Sequence, residues 1–150
     1  MKYIFILFTA TLFMTEINAQ SAEDSVKTVV NKMFDAMRNA DPVSLKNTFS
    51  ENIVFHTIAE KEGAATVRSE DPKEFIDFIS KEKKGAADEQ IRFETIKIDG
   101  ALAVAWTPYQ FYYKGQFSHC GVDSYQVVRI NGEWKIQYII DTRRKANCGK

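Results

Sequence analysis

Residues 117–140, FSHCGVDSYQVVRINGEWKIQYII, decide how the chain is to be read. Two runs rich in valine, isoleucine and aromatic residues flank Asn131-Gly132, and an Asn-Gly pair in that setting is the strongest short signal for a two-residue β-hairpin. Directly opposed residues share a face of the sheet, so the turn also predicts a register. It sets Arg129 against Trp134, Val127 against Ile136, Tyr125 against Tyr138 and Asp123 against Ile140. Upstream, Lys114-Gly115 closes a second hairpin, which sets Gln110 against His119, Pro108 against Gly121, Trp106 against Asp123 and Val104 against Tyr125.

Both hairpins then agree on one apolar face, made of Leu102, Val104, Trp106, Tyr125, Val127, Trp134, Ile136 and Tyr138. Asp99-Gly100 closes a third hairpin and adds Ile91 and Phe93 to that face. His119, Gly121 and Asp123 fall on the same buried face, while Cys120, Ser124, Gln126, Lys135 and Gln137 fall on the other. A carboxylate on an apolar face is costly unless it is paired or hydrogen-bonded. With glycine leaving room beside it, the expectation is a pocket with polar groups at its mouth, the usual build of a small-molecule site. The competing expectation is that His119 and Asp123 sit at a wet rim, satisfied by water, helix ends or Arg144.

Before the meander the pattern is helical. Val26, Val29, Val30, Met33, Phe34 and Met37 recur at spacings of three, four and seven, which place them on one helical face that must cover something apolar. Asp41-Pro42 and Asp71-Pro72 each read as an N-cap followed by proline at the first helical position. The second of these helices ends before the KEKKG run at 81–85. Between them NIVFHTI reads as a strand and AATVRS as a weaker one. Helices first and antiparallel strands after define an α+β plan, with the helices packed on one face of a curved, mainly antiparallel sheet.

The first 19 residues carry Lys2, an apolar run from Tyr3 to Phe13 and a small residue at Ala19, the layout of a secretory signal peptide. The run is shorter than the roughly 20 residues a membrane span needs. The expected mature chain, 20–150, is one domain with enough residues to bury a core, periplasmic or secreted and soluble. Twenty basic and 20 acidic residues are interspersed, so no basic face for nucleic acid is expected. Cys120 and Cys148, in an exported chain, are expected as a disulfide. A nucleophilic Cys120 beside His119 is the lesser alternative, because neighbouring strand residues point to opposite faces.

His119 and Asp123 lie roughly 13 Å apart along a strand, so each needs a partner from elsewhere, such as His56, with Arg68 as a counter-charge. Two histidines without close spacing form no recognisable ligand set, and neither a metal nor a cofactor is expected.

HCGVDSYQVVRINGEWKIQYIIDTRRKANC, together with WTPYQFYYKGQFSHC and the leading helix, resembles the NTF2-like superfamily (SnoaL-like and lumazine-binding-like proteins), in particular its exported bacterial members. The resemblance spans nearly all of the mature chain. It implies a cone in which a strongly bent sheet wraps the first helix, a pocket opening inside the cone, and dimers formed through the outer sheet face. It does not imply one function, since the same cone hosts isomerases, dehydratases, cyclases and binding modules. Two readings stand. In the first, Trp106, Tyr125 and Tyr138 stack on a small, partly aromatic ligand whose polar groups meet Gln110, His119, Asp123 and Arg68. In the second, Asp123 or His56 is the general base of a cofactor-independent enzyme. A filled interaction domain without a ligand is a third.

Overall fold

The computed structural model describes residues 21–61 and 63–148; the expected signal peptide lies outside them. Helix α1, Ala22–Asn39, is capped by Ser21, whose side chain accepts from the Asp24 amide, and it ends at Ala40 in the left-handed conformation. Helices α2, Pro42–Asn47, and α3, Pro72–Lys81, start as their sequences require: Asp41 and Asp71 accept first-turn amides, and proline holds the first helical position of each. Strands β1, Phe49–Lys61, and β2, Ala64–Glu70, separate α2 from α3. After α3 come β3, Ala87–Ile91; β4, Thr95–Asp99; β5, Leu102–Tyr113; β6, Gln116–Ile130; and β7, Glu133–Arg144.

The seven strands form one curved sheet in the order β2-β1-β7-β6-β5-β3, with β4 also paired to β5. Every pairing is antiparallel except β1 with β7. The apolar stripe of α1 fills the concave side, where Val26, Val30 and Phe34 join Phe55, Ala103, Ala105, Tyr125, Val127, Trp134 and Ile136 in one buried cluster. Trp134 is a core residue opposite Arg129.

Both turns stand where the sequence puts them. Lys114, Gly115, Asn131 and Gly132 all have positive φ, as a two-residue hairpin loop of this hand demands. Two β-bulges then correct the registers drawn from those turns. In the β5–β6 pair Tyr112 faces Phe117 but Phe111 faces His119, so Ser118 is an extra residue. From there on Trp106 lies opposite Ser124 and Thr107 opposite Asp123. In the β6–β7 pair Val127 faces Ile136 but Gln126 faces Tyr138, which makes Gln137 the extra residue and sets Asp123 against Asp141. Gln137 is held in place by β1: it accepts from Ser50 Oγ at 2.8 Å and donates to the Asn52 carbonyl at 2.8 Å.

A bulge shifts side chains by one position, which in a strand is a change of face. Leu102, Val104 and Trp106 are therefore on the convex face and 46%, 37% and 46% exposed, not in the core as expected. The inner positions of β5 are Ala103, Ala105, Thr107 and Tyr109. The third hairpin is also displaced: Asp99 pairs with Leu102, and the expected single strand around IRFETIKI is two strands. Ile91 and Phe93 still pack against the core.

Candidate functional site

Asp123 is 5% exposed on the concave face, and its surroundings come from four strands. Its Oδ2 accepts from Tyr125 Oη at 3.1 Å and from Thr107 Oγ1 at 3.3 Å. Glu89, from β3, is its carboxyl neighbour, and Asp141 faces it from β7. Asp141 Oδ2 accepts from Arg143 Nε at 2.7 Å and from Tyr109 Oη at 3.4 Å. Tyr109 Oη also donates to the Thr142 carbonyl at 3.0 Å. Arg143 reaches on to Glu70 Oε2 at 3.1 Å, and Thr57 Oγ1 donates to Glu70 Oε1 at 2.9 Å. Three carboxyls thus meet inside the sheet, with a half-exposed Arg143–Glu70 pair at the rim.

The crowding sets the protonation. Burial first, and then the charge of Asp141, push Asp123 up to about 7, although its hydrogen bonds from Tyr125, Glu89 and Thr107 pull the other way. Burial and the charge of Asp123 hold Glu89 well above the ordinary glutamate range. Glu89 keeps partial contact with solvent through the cavity, yet protein surrounds it closely enough to disfavour its charge. Tyr109 and Tyr125 are raised, chiefly by burial and then by the neighbouring carboxylates. Burial works against the Arg143 cation, but its bonds to Asp141 and Glu70 more than offset this and hold it charged.

A cavity of about 100 Å³ opens over this group. Its apolar wall is made by Met33 and Met37 of α1, Phe55, Phe75, Tyr125 and Ile139. Phe55 and Phe75 meet edge to face with ring centroids 5.6 Å apart.

The other expected site residues are placed differently. His119 is half-buried on the inner side, edge-on to the Tyr109 ring, with burial and then Arg143 lowering its pKa. Trp106 and Tyr138 are on the convex face, since both bulges intervene between the turns and these residues. His56 is there too, its Nδ1 at 2.9 Å from Tyr138 Oη and its Nε2 at 3.2 Å from Ser69 Oγ, so its imidazole faces away from Asp123. Gln110 pairs with Cys120 and accepts from Tyr112 Oη at 2.9 Å. Arg68 is exposed on the edge strand β2. Gly121 does not leave ligand space: a Cβ there would lie 1.7 Å from the Thr142 carbonyl oxygen and 2.8 Å from the Tyr109 ring. The glycine admits that close backbone approach. Cys120 and Cys148 form the disulfide, 5.6 Å between Cα atoms, across the convex side.

Sequence reasoning passed over Glu89, Thr107, Tyr109 and Asp141. A signal was present for Asp141, which follows the apolar run Tyr138-Ile139-Ile140, but Glu89 sits in the polar run Asp88-Glu89-Gln90 and nothing local marks it; only the true register brings Asp123 and Asp141 together. No group of histidine, cysteine or acidic residues among the described residues is arranged to hold a metal ion.

This cone of bent sheet around a helix, with a cavity on its inner face, is the architecture of the NTF2-like superfamily. Residues 21–138 match the family described as "Putative lumazine-binding", and the chain belongs to that family. An NTF2-like protein of unknown function from Shewanella baltica superposes with a TM-score of 0.64 at 14% identity, over 83% of this chain and 94% of that one. One from Methylobacillus flagellatus gives 0.63 at 16% identity, over 83% and 94%. A cystatin-like domain of unknown function from Nostoc punctiforme gives 0.62 at 19% identity, over 83% and 78%. At these identities the likeness shows the fold alone. No curated protein matches the chain.

Proposed function

We propose that the chain binds a small ligand in the cavity inside the cone, with Asp123, Glu89 and Asp141 as its polar floor and Phe55, Phe75 and Tyr125 as its wall. The observation that carries this is Asp141 Oδ1, a buried carboxylate oxygen without a hydrogen-bond partner, on a residue that lines that cavity. Buried polar atoms are almost always satisfied, so a missing partner is a reason to expect a ligand. The family description agrees with ligand binding at this coarse level.

A second reading has one observation in its favour. A carboxyl near 7, beside a second carboxyl and hydrogen-bonded to a tyrosine, suits proton transfer at neutral pH. Asp123→Asn separates the two. A binder that uses Asp123 as a hydrogen-bond acceptor loses about 1.5–3 kcal/mol of affinity. A catalyst that uses it as general base loses turnover by about 100-fold or more while binding changes little.

Two further parts of the reading follow from the chain rather than the cavity. The first 19 residues support export, and the Cys120–Cys148 disulfide agrees with an oxidising compartment. Leu102, Val104 and Trp106 expose a continuous apolar strip on the convex face, which supports a homodimer formed there. No helix among the described residues is long and apolar enough to cross a membrane.

A further inference from the structure

We propose that the group taken into the cavity is a small organic cation, a protonated amine or an amidinium head, which donates to Asp141 and to the Asp123–Glu89 pair. This names the ligand class for the site proposed above and rests on that reading. Four carboxyls line the cavity, Glu70, Glu89, Asp123 and Asp141, against one cation, Arg143. That cation is already committed, Nε to Asp141 and Nη2 to Glu70. The bonds to Asp123 come from hydroxyls and from Glu89, none from a cation.

The donors around the cavity are used up in the same way. Tyr125 and Thr107 give their protons to Asp123, Thr57 to Glu70, and Tyr109 to Asp141 and the Thr142 carbonyl. An anion entering here would meet the carboxylates of Asp141 and Glu70, whereas an N–H donor would meet Asp141, whose Oδ1 is without a partner on a residue only 8% exposed. The walls suit the same guest, because Phe55, Phe75 and Tyr125 line it with aromatic rings and Met33 and Met37 with polarisable side chains. Size narrows it further. At about 100 Å³ the cavity is smaller than the ~150 Å³ space that accepts benzene, so it takes a head group or a compact amine, and a bicyclic ring enters only if wall side chains move.

Binding a cation here also moves protons. The groups that face the site are Glu89 from β3, Tyr109 from β5, Asp123 and Tyr125 from β6, Asp141 and Arg143 from β7, and Glu70 from β2, with His119 behind Tyr109 and, at the cavity edge on β1, His56, whose ring nitrogens are turned to Tyr138 and Ser69. Helix α1 presents only Met33, Phe34 and Met37. A carboxyl that holds its proton to about pH 7 releases it when a cation arrives, so affinity rises as pH rises through that value.

The test is calorimetric titration of the chain with propylammonium, protonated throughout the range, and with propan-1-ol, its neutral counterpart, at pH 6 and pH 8. Each titration is run in two buffers of different ionisation enthalpy. Propylammonium should bind about 10-fold or more tightly than the alcohol at pH 8, weaken at pH 6 and release protons. Asp141→Asn, checked for its fold by circular dichroism, should remove the preference; a preference kept in a folded variant would overturn the role given to Asp141. Equal affinity for the two probes, or tighter binding of the alcohol, overturns the cation assignment and leaves the cavity reading standing. If neither binds, the assignment falls as well, and xenon decides the rest: xenon held over Asp123 in pressurised crystals preserves the cavity reading, and its absence removes it.

Discussion

Asp123 shows how a single side chain can set the pH behaviour of the whole chain. Folded, it keeps its proton to about pH 7; unfolded, it loses that proton near the ordinary aspartate value of about 4. Between those values Asp123 binds more of its proton in the folded state, so its contribution to stability is full below pH 4 and is lost as pH rises towards 7. Thermal melts at pH 5 and pH 8 should show that drop, and Asp123→Asn, which cannot ionise, should shrink it and be at least as stable as the parent at pH 8. An equal drop in the variant would place the proton elsewhere. Gly121 is the opposite case, a residue defined by what it lacks. Gly121→Ala forces a methyl group into the Thr142 carbonyl, and since backbone cannot swing aside as a side chain can, the variant should lose about 3 kcal/mol or fail to fold. A denaturation midpoint within error of the parent would contradict the close approach.

At the scale of elements, the two bulges position the site. Ser118 and Gln137 each insert one residue, and the two shifts bring Thr107, Asp123 and Asp141 into one row across β5, β6 and β7. Alternation could not reveal this. Beyond Gln137 the run Tyr138-Ile139-Ile140 is apolar in both phases, and along β5 the larger apolar residues alternate with Ala103 and Ala105. Size suggested that the larger set faced inward, but the concave face under α1 takes the small residues. The tail after β7 is a separate element, tied to β6 by the disulfide over a separation of 28 residues. Closing a loop of that length stabilises by about 3–4 kcal/mol, so Cys120→Ser with Cys148→Ser should lower the melting temperature accordingly. The mass of exported protein should in turn match a chain from Gln20 with no free thiol; two free thiols, or a retained Met1, would contradict one part or the other.

For the molecule as a whole, the convex face is the surface still without a partner. Trp106, Leu102 and Val104 lie side by side there on β5, with Val54 also exposed on β1. Sedimentation should find a dimer that Trp106→Glu converts to monomer with the fold retained; a monomeric parent at high concentration would remove the homodimer proposal. The division between local and tertiary information follows the range of the forces involved. Helix starts at Ser21, Asp41 and Asp71, the covering stripe of α1, the two positive-φ turns and the order of elements were all legible in the chain, because each depends on neighbours within a few residues. The disulfide was legible from the cysteine count and the expected export. The candidate site was legible only in part: Asp123 was singled out, but its neighbours Glu89, Thr107 and Asp141 were not, and Trp106 and Tyr138 were placed on the wrong face. Face and partner depend on bulges held by contacts between distant strands, such as Gln137 with Ser50 and Asn52. One inserted residue reverses every side chain beyond it, so only the assembled sheet decides which carboxyls meet.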